Sequence, residues 1–140
     1  MELKLNAGQI EKVILGAFPG SKDGWIRIEE VRPAYVRLRL PFHKWMLRPV
    51  NVISGPALFS AADTAMYALV LAHIGPEVLA VTADLGIRFL RKAPAGDVTA
   101  EARLLKLGKR LAVMEVLLRV AGEAEPVAHA TGSYALPLRR

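Results

Sequence analysis

Pro56-Ala57-Leu58-Phe59-Ser60-Ala61-Ala62-Asp63-Thr64-Ala65-Met66-Tyr67-Ala68-Leu69-Val70-Leu71-Ala72 is the stretch on which the fold turns. It reads as a helix that is apolar on nearly every side, the signature of a core helix. Pro56 suits the first helical turn, where a missing N–H costs nothing. Ser54 or Gly55 is the natural cap, and Gly75-Pro76 ends the helix. Asp63 is the one charge in the run. A buried carboxylate needs compensation, or burial favours its neutral form. Asp63 is therefore the first candidate for a functional group, with a hydrogen-bonded or ion-paired structural acid as the plainer reading.

Outward from this helix the pattern changes period. Gly8 to Phe18 predicts a short amphipathic helix, with Ile10, Val13, Ile14 and Ala17 at helical spacing. Gly20-Ser21-Lys22-Asp23-Gly24 is a turn cluster. Trp25 to Val31 and Ala34 to Leu40 predict strands separated at Pro33; in the second, Ala34, Val36, Leu38 and Leu40 alternate with Tyr35, Arg37 and Arg39. Pro41 to Ile53 is irregular and holds His43 and Trp45. Four more strands are expected at Val78–Leu90, Val98–Leu107, Leu111–Val120 and Val127–Leu136, with a hairpin at Gly108-Lys109-Arg110. Along the first of them Leu79, Val81, Ala83, Leu85, Ile87 and Phe89 form one face, and Thr82 falls on the other.

Segregated helices and strands define an α+β domain with a mainly antiparallel sheet. One sheet covers one side of an apolar helix better than all sides. A second copy of the chain is expected to complete the burial and pair the sheet edges.

The chain has 140 residues, enough for one domain with a real core. It has no cysteine, which excludes disulfides, thiol catalysis and cysteine-ligated metal. His43, His73 and His129 lack metal-ligand spacing. His73 ends the helix, where a cationic ring favours the dipole. The N-terminus has no long apolar core of a secretory signal, so a cytoplasmic location is the simplest expectation. No membrane partner is expected, because charge or Gly-Pro interrupts the apolar runs. The net charge of +6 favours acidic or phosphorylated partners. The cations are scattered, with no basic stripe interleaved with aromatics, so nucleic acid is not the expected partner.

Ser54-Gly55-Pro56, separated by six residues from Asp63-Thr64-Ala65, resembles the helix entry of hotdog-fold acyl-CoA thioesterases of the phenylacetate-degradation (PaaI) type. There the helix opens with His-Gly-Gly and reaches Asp-Thr-Ala at this spacing. Val81-Thr82-Ala83-Asp84-Leu85-Gly86-Ile87-Arg88-Phe89-Leu90-Arg91, Gly96-Asp97-x-x-Ala100-Glu101-Ala102 and Gly108-Lys109-Arg110-Leu111 are similar to further motifs of the family, in the same order. The likeness spans roughly residues 30 to 137, within a single hotdog domain covering 1–140.

The resemblance implies a homo-oligomer, dimer or tetramer, with each site shared by two protomers. It implies hydrolysis of a small or medium acyl-CoA thioester, with CoA as part of the substrate and no separate cofactor or metal. The helical acid, Asp63, acts as general base or nucleophile. The Gly55 N–H, at the tip of a partner helix, polarises the thioester carbonyl. Thr82 positions water, and Asn51 stands in for a polar residue that precedes the family motif. Three departures bear on catalysis: Ser54 replaces the family His, Pro56 replaces the second Gly and removes an N–H, and Arg48 stands where the family has an Asn or Gln six residues before the His, with Asn51 closer to the helix. A non-catalytic acyl-CoA-binding module on the same fold is the alternative. Ser54 is expected to touch substrate or to act only as a cap. Arg91, Lys92, Lys109 and Arg110 are expected to hold CoA phosphates or to be solvated surface.

Overall fold

The computed structural model describes residues 1–18 and 24–138. The expected turn at Gly20-Ser21-Lys22-Asp23 and the terminal Arg139-Arg140 pair lie outside the described residues. Helix α1 (Ala7–Ala17) opens with a capping box: Asn6 accepts from the Gln9 N–H, and the Gln9 side chain accepts from the Asn6 N–H. Its apolar stripe buries Ile10 and Ile14. Strands β1 (Arg27–Arg32) and β2 (Tyr35–Leu40) form a hairpin. A short 3₁₀ turn (Lys44–Met46) and a small hairpin of β3 (Leu47–Arg48) and β4 (Val52–Ile53) then lead into α2 (Gly55–Ile74). Strands β5 (Val81–Phe89), β6 (Val98–Leu107), β7 (Leu111–Val120) and β8 (Ala128–Ala135) complete the chain.

The main sheet runs β1-β2-β6-β7-β8-β5, every neighbour antiparallel. It curls around α2, which packs on β2, β6 and β7 and touches β5 and β8. This is the hotdog arrangement the resemblance implied. By length and composition α2 is apolar enough to cross a membrane, but 83% of its most apolar stretch is buried inside the fold. The inward alternation is strict where the sheet faces the helix. Ala112, Met114, Val116, Leu118 and Val120 of β7 are buried, as are Val36, Leu38 and Leu40 of β2. Tyr35, expected on the outer face, is also buried, because Arg32 and Arg103 lie over its ring at 3.9 and 5.0 Å.

Three expectations change. Ala34 belongs to the β1–β2 turn, with φ +63°, so β2 starts one residue later. Residues 75–80 are turns, closed by the Glu77 N–H to the Gly75 carbonyl and the Ala80 N–H to the Glu77 carbonyl, so β5 starts at Val81. His73 is not a charged helix terminus. Its Nε2 accepts from the Ala34 N–H at 2.9 Å and its Nδ1 faces the Leu69 carbonyl at 2.9 Å, which puts the single proton on Nδ1. The buried ring satisfies a turn donor that has no strand partner.

β5 carries a bulge: Thr82 pairs with Tyr134 and Asp84 with Ser133, leaving Ala83 unpaired. Beside it Gly132, registered with Leu85, admits no side chain, since a Cβ there would lie 2.4 Å from the Asp84 carbonyl oxygen and 2.7 Å from the Met66 methyl. Gly132→Ala should lower stability by about 2–3 kcal/mol, because a backbone oxygen cannot move aside as a side chain does. Gly16→Ala, on the open face of α1 with nothing within 4 Å, should raise it by about 0.5–1 kcal/mol. Urea unfolding of the two variants checks the contrast.

Candidate active site

Most of α2 is enclosed, with fifteen of its twenty residues buried. The remainder in its first half is a stripe. Pro56 and Phe59 are exposed, Ser60 and Asp63 half-buried, at spacings of three and four residues that keep them on one face. Asp63 is thus not sealed in the core of one chain, as the all-apolar reading of the helix implied. It sits half-buried at the border of the core, against the Thr82 end of β5 and the Tyr134 end of β8.

Two hydroxyls hold its carboxylate. The Thr82 Oγ1–H donates to Oδ1 at 2.6 Å. The Tyr134 hydroxyl donates at 2.7 Å to the same oxygen and lies 3.0 Å from the Asp63 carbonyl oxygen. Oδ2 has no donor among the described residues. The Ala83 bulge makes the Thr82 contact possible. Strict alternation would turn Thr82 away from Leu85, Ile87 and Phe89; the extra residue returns it to the helix side. Burial holds the Tyr134 phenol far above its ordinary range, opposed by the Thr82 hydroxyl and reinforced by the adjoining Asp63 carboxylate. Tyr134 therefore stays protonated and acts as a donor.

Asp63, Thr82 and Tyr134 line a pocket of about 440 Å³ with Tyr67, Val78, Ala80, Val81, Ala17 and Phe18. Reading the sequence alone misses Tyr134, Tyr67 and Phe18. Tyr67 alone carries a local signal, one turn beyond Asp63 on the same helix.

Gly55 belongs to a second pocket of about 410 Å³, lined by Arg48, Val52, Ile53, Leu58, Phe89, Leu90, Arg91, Lys92 and Ala93. Ser54 is the N-cap of α2: its Oγ accepts from the Ala57 N–H at 3.2 Å. Pro56 has no N–H to give. That leaves the Gly55 N–H at the positive end of the helix dipole, with no acceptor among the described residues. The Phe89 ring lies against Gly55, where a Cβ would stand 3.3 Å from its Cζ. Gly55 and Asp63 are eight residues apart on one helix, about 12 Å along its axis, too far to act on a single carbonyl.

The other expected site residues scatter. Asn51 is exposed in the β3–β4 turn with φ +57°, a left-handed position that Asn tolerates, and lines neither pocket. Arg91 lines the Gly55 pocket but pairs with Glu125 at 2.6 Å and donates to the Pro126 carbonyl at 2.9 Å. Lys92 lines the same pocket and forms no ion pair among the described residues. Lys109 and Arg110 sit exposed on the β6–β7 tip, beside Leu111, Ala135 and Val81. They are at the Thr82 end of β5, whereas Arg91 and Lys92 follow its Phe89 end. One chain does not bring the four cations together. Several other arginines are spent on ion pairs of the outer sheet face, Arg37 and Arg39 with Glu29 and Arg119 with Glu101.

The curled antiparallel sheet wrapped on a central helix places the chain in the hotdog class of folds. The family model described as the thioesterase superfamily matches residues 50–127, and the chain belongs to that superfamily. A solved candidate thioesterase from Silicibacter sp. TM1040 is 38% identical, with a TM-score of 0.87 over 98% of this chain and 95% of that one. A candidate esterase of Saccharolobus solfataricus is 34% identical over 92 residues, 65% of this chain and 60% of the relative. The chain thus spans less than two thirds of that relative's length. The phenylacetic acid degradation protein PaaI of Thermus thermophilus, solved as a point variant, shares the fold. Its TM-score is 0.68 at 21% identity, over 80% of this chain and 93% of that one.

Tyr134→Phe removes one of the two donors to Asp63 Oδ1 and leaves the ring in place. It should cost about 1–2 kcal/mol of stability, the scale of a hydrogen bond to a half-buried charge. A lower urea midpoint with an unchanged m-value is the expected readout.

Proposed function

We propose that the chain is a thioester hydrolase acting on small or medium acyl-CoA substrates at a site that two protomers share. The observation that carries the proposal is the grip on Asp63: two hydroxyl donors converge on Oδ1, and Oδ2 is left free beside a largely apolar pocket. A carboxylate fixed in this way can draw a proton from water or attack a carbonyl carbon with its free oxygen. The Gly55 N–H, at an uncapped position of the helix tip, supplies the complementary donor for the oxyanion. Loss of such a donor typically costs about 3–4 kcal/mol of transition-state stabilisation.

The separation of acid and donor along one helix makes a partner necessary. Asp63 marks the Thr82 end of β5 through a hydrogen bond, and Gly55 marks the Phe89 end through ring contact. β5 is also one of the two edge strands of the sheet, with Val81 57% and Phe89 54% exposed. Antiparallel pairing of two β5 edges about a dyad between Leu85 and Gly86 would set Thr82 of one protomer against Phe89 of the other. Asp63 of one chain then meets Gly55 of its partner. The same pairing covers the apolar edge and the open stripe of α2, and it carries Lys109 and Arg110 toward the partner's Lys92. In this scheme Thr82 orients the acid directly and Ser54 only caps the helix. Arg48 and Lys92 face the CoA phosphates, and Asn51 is left without a role.

A second reading keeps the same pockets without turnover. It is favoured by Ser54 and Pro56, which leave a single backbone donor where the family motif offers more. Calorimetric titration with acyl-CoA, alongside a thiol-release assay over a panel of acyl-CoAs, separates the two: tight binding with no CoA release selects the binding module.

Asp63→Asn should lower kcat/KM by about 10²–10⁴-fold with the circular dichroism spectrum intact. Full activity in that variant would rule out the assignment. Mixing tests the sharing of the site. Asp63→Asn and Gly55→Pro are each expected to be inactive alone; the proline removes the N–H at a position where helices accept it. Exchanged heterodimers contain one intact composite site, so the mixture should recover roughly a quarter of wild-type activity. No recovery after verified subunit exchange means that acid and donor act within one chain.

A further inference from the structure

The pocket beside Asp63 has an end wall that does not come from the hotdog core. Resting on the hydrolase reading above, we propose that the C-terminal end of α1 closes the acyl pocket and that Phe18 sets the longest acyl group the protein accepts. Asp63 and Thr82 supply the polar end of this pocket. Along the rest of the wall the polar atoms are already committed. The Tyr67 hydroxyl donates to the Val78 carbonyl at 3.1 Å, and the Tyr134 hydroxyl is spent on Asp63. What remains facing the cavity is ring and aliphatic surface, which suits a hydrocarbon tail and offers nothing to a polar one.

The rings form a continuous line away from the acid. Tyr134 stacks on Tyr67 at 6.0 Å with planes 20° apart, and Phe18 meets Tyr67 edge-on at 6.0 Å and 86°. Phe18 in turn meets Trp25 edge-on at 5.6 Å. An acyl chain extending from a thioester at Asp63 passes Tyr134 and Tyr67 and arrives at Phe18. There Phe18 is 45% and Val78 48% exposed, an apolar rim that a bound chain would cover. Phe18 is also held in place. It follows the last turn of a helix anchored by the buried Ile10 and Ile14, and the Glu11 carboxylate accepts from the Ile28 N–H at 2.6 Å. A ring fixed in this way acts as a stop.

The test is a chain-length series of straight acyl-CoAs from acetyl to palmitoyl, applied to wild type, Phe18→Ala and Phe18→Trp. It is measured as turnover and also as equilibrium binding in the Asp63→Asn background. Phe18→Ala should move the optimum to longer chains, improving the first disfavoured substrates by about fourfold for each methylene newly admitted. Acetyl-CoA, too short to reach the ring, should change least. Phe18→Trp should move the optimum the other way, which guards against a general loosening of the fold by the alanine. Identical chain-length profiles in the three proteins, in binding as in turnover, would overturn the role of Phe18. Absence of turnover in wild type with a binding profile that still shifts with residue 18 would sink the hydrolase reading and leave the pocket assignment standing.

Discussion

A twenty-residue apolar helix must be covered around its whole circumference, and the six strands of one chain cover only part of it. Much else follows from that shortfall. The uncovered strip of α2 runs along Pro56, Phe59, Ser60 and Asp63, and the sheet edge beside it is β5, whose apolar side chains stand in the open. Burial energy favours closing this seam: at about 25 cal/mol for each square ångström of apolar surface removed from water, exposed Val and Phe side chains are a substantial drive to association. Side chains at such a border are dry on one side and reachable on the other. That combination leaves Asp63 held by two hydroxyls and still reachable from outside.

The second constraint is local. Thr82 reaches Asp63 because Ala83 is an extra residue in the β5–β8 ladder, and just beyond the bulge Gly132, registered with Leu85, leaves the room that the Asp84 carbonyl and the Met66 methyl occupy. A single inserted residue reverses the facing of everything before it in a strand. The bulge therefore places a hydroxyl on the helix side without altering Leu85 and Ile87, which pack against the core. Tyr134, the partner of Thr82 in the β5–β8 ladder, supplies the second of the two hydroxyls at the acid.

The helix entry shows how a small change in sequence redistributes hydrogen bonds. Ser54 gives its side chain to the Ala57 N–H and Pro56 offers none, which concentrates the unpaired donor capacity of the helix tip at Gly55. The cations around that pocket divide similarly. Arg91 is tied to Glu125 and the Pro126 carbonyl, leaving Lys92 and Arg48 as its accessible charges.

Periodicity, capping and turn chemistry make the helices and most strands legible without coordinates. The Ser54 cap, the Gly75 stop, the limits of β6 and β7, and a lone acid in an apolar helix are all statements about residues a few positions apart. Local backbone geometry fixes those. Asp63 stands out because an uncompensated carboxylate in a greasy run is costly wherever that run folds. Its partners are not legible in this way. Tyr134 lies seventy-one positions along the chain, and its hydroxyl finds Asp63 only when β8 closes over α2. Thr82 reads as outward-facing because alternation assumes no bulge, and the bulge is a property of two paired strands. Phe18 reads as the last residue of an amphipathic helix, and only the packing of α1 beside Tyr67 places it at a pocket. Short-range chemistry along the chain thus dictates which elements form and which residue is chemically out of place. The groups that surround that residue come from long-range packing, because contacts between distant segments are set by the register and curvature of the whole sheet.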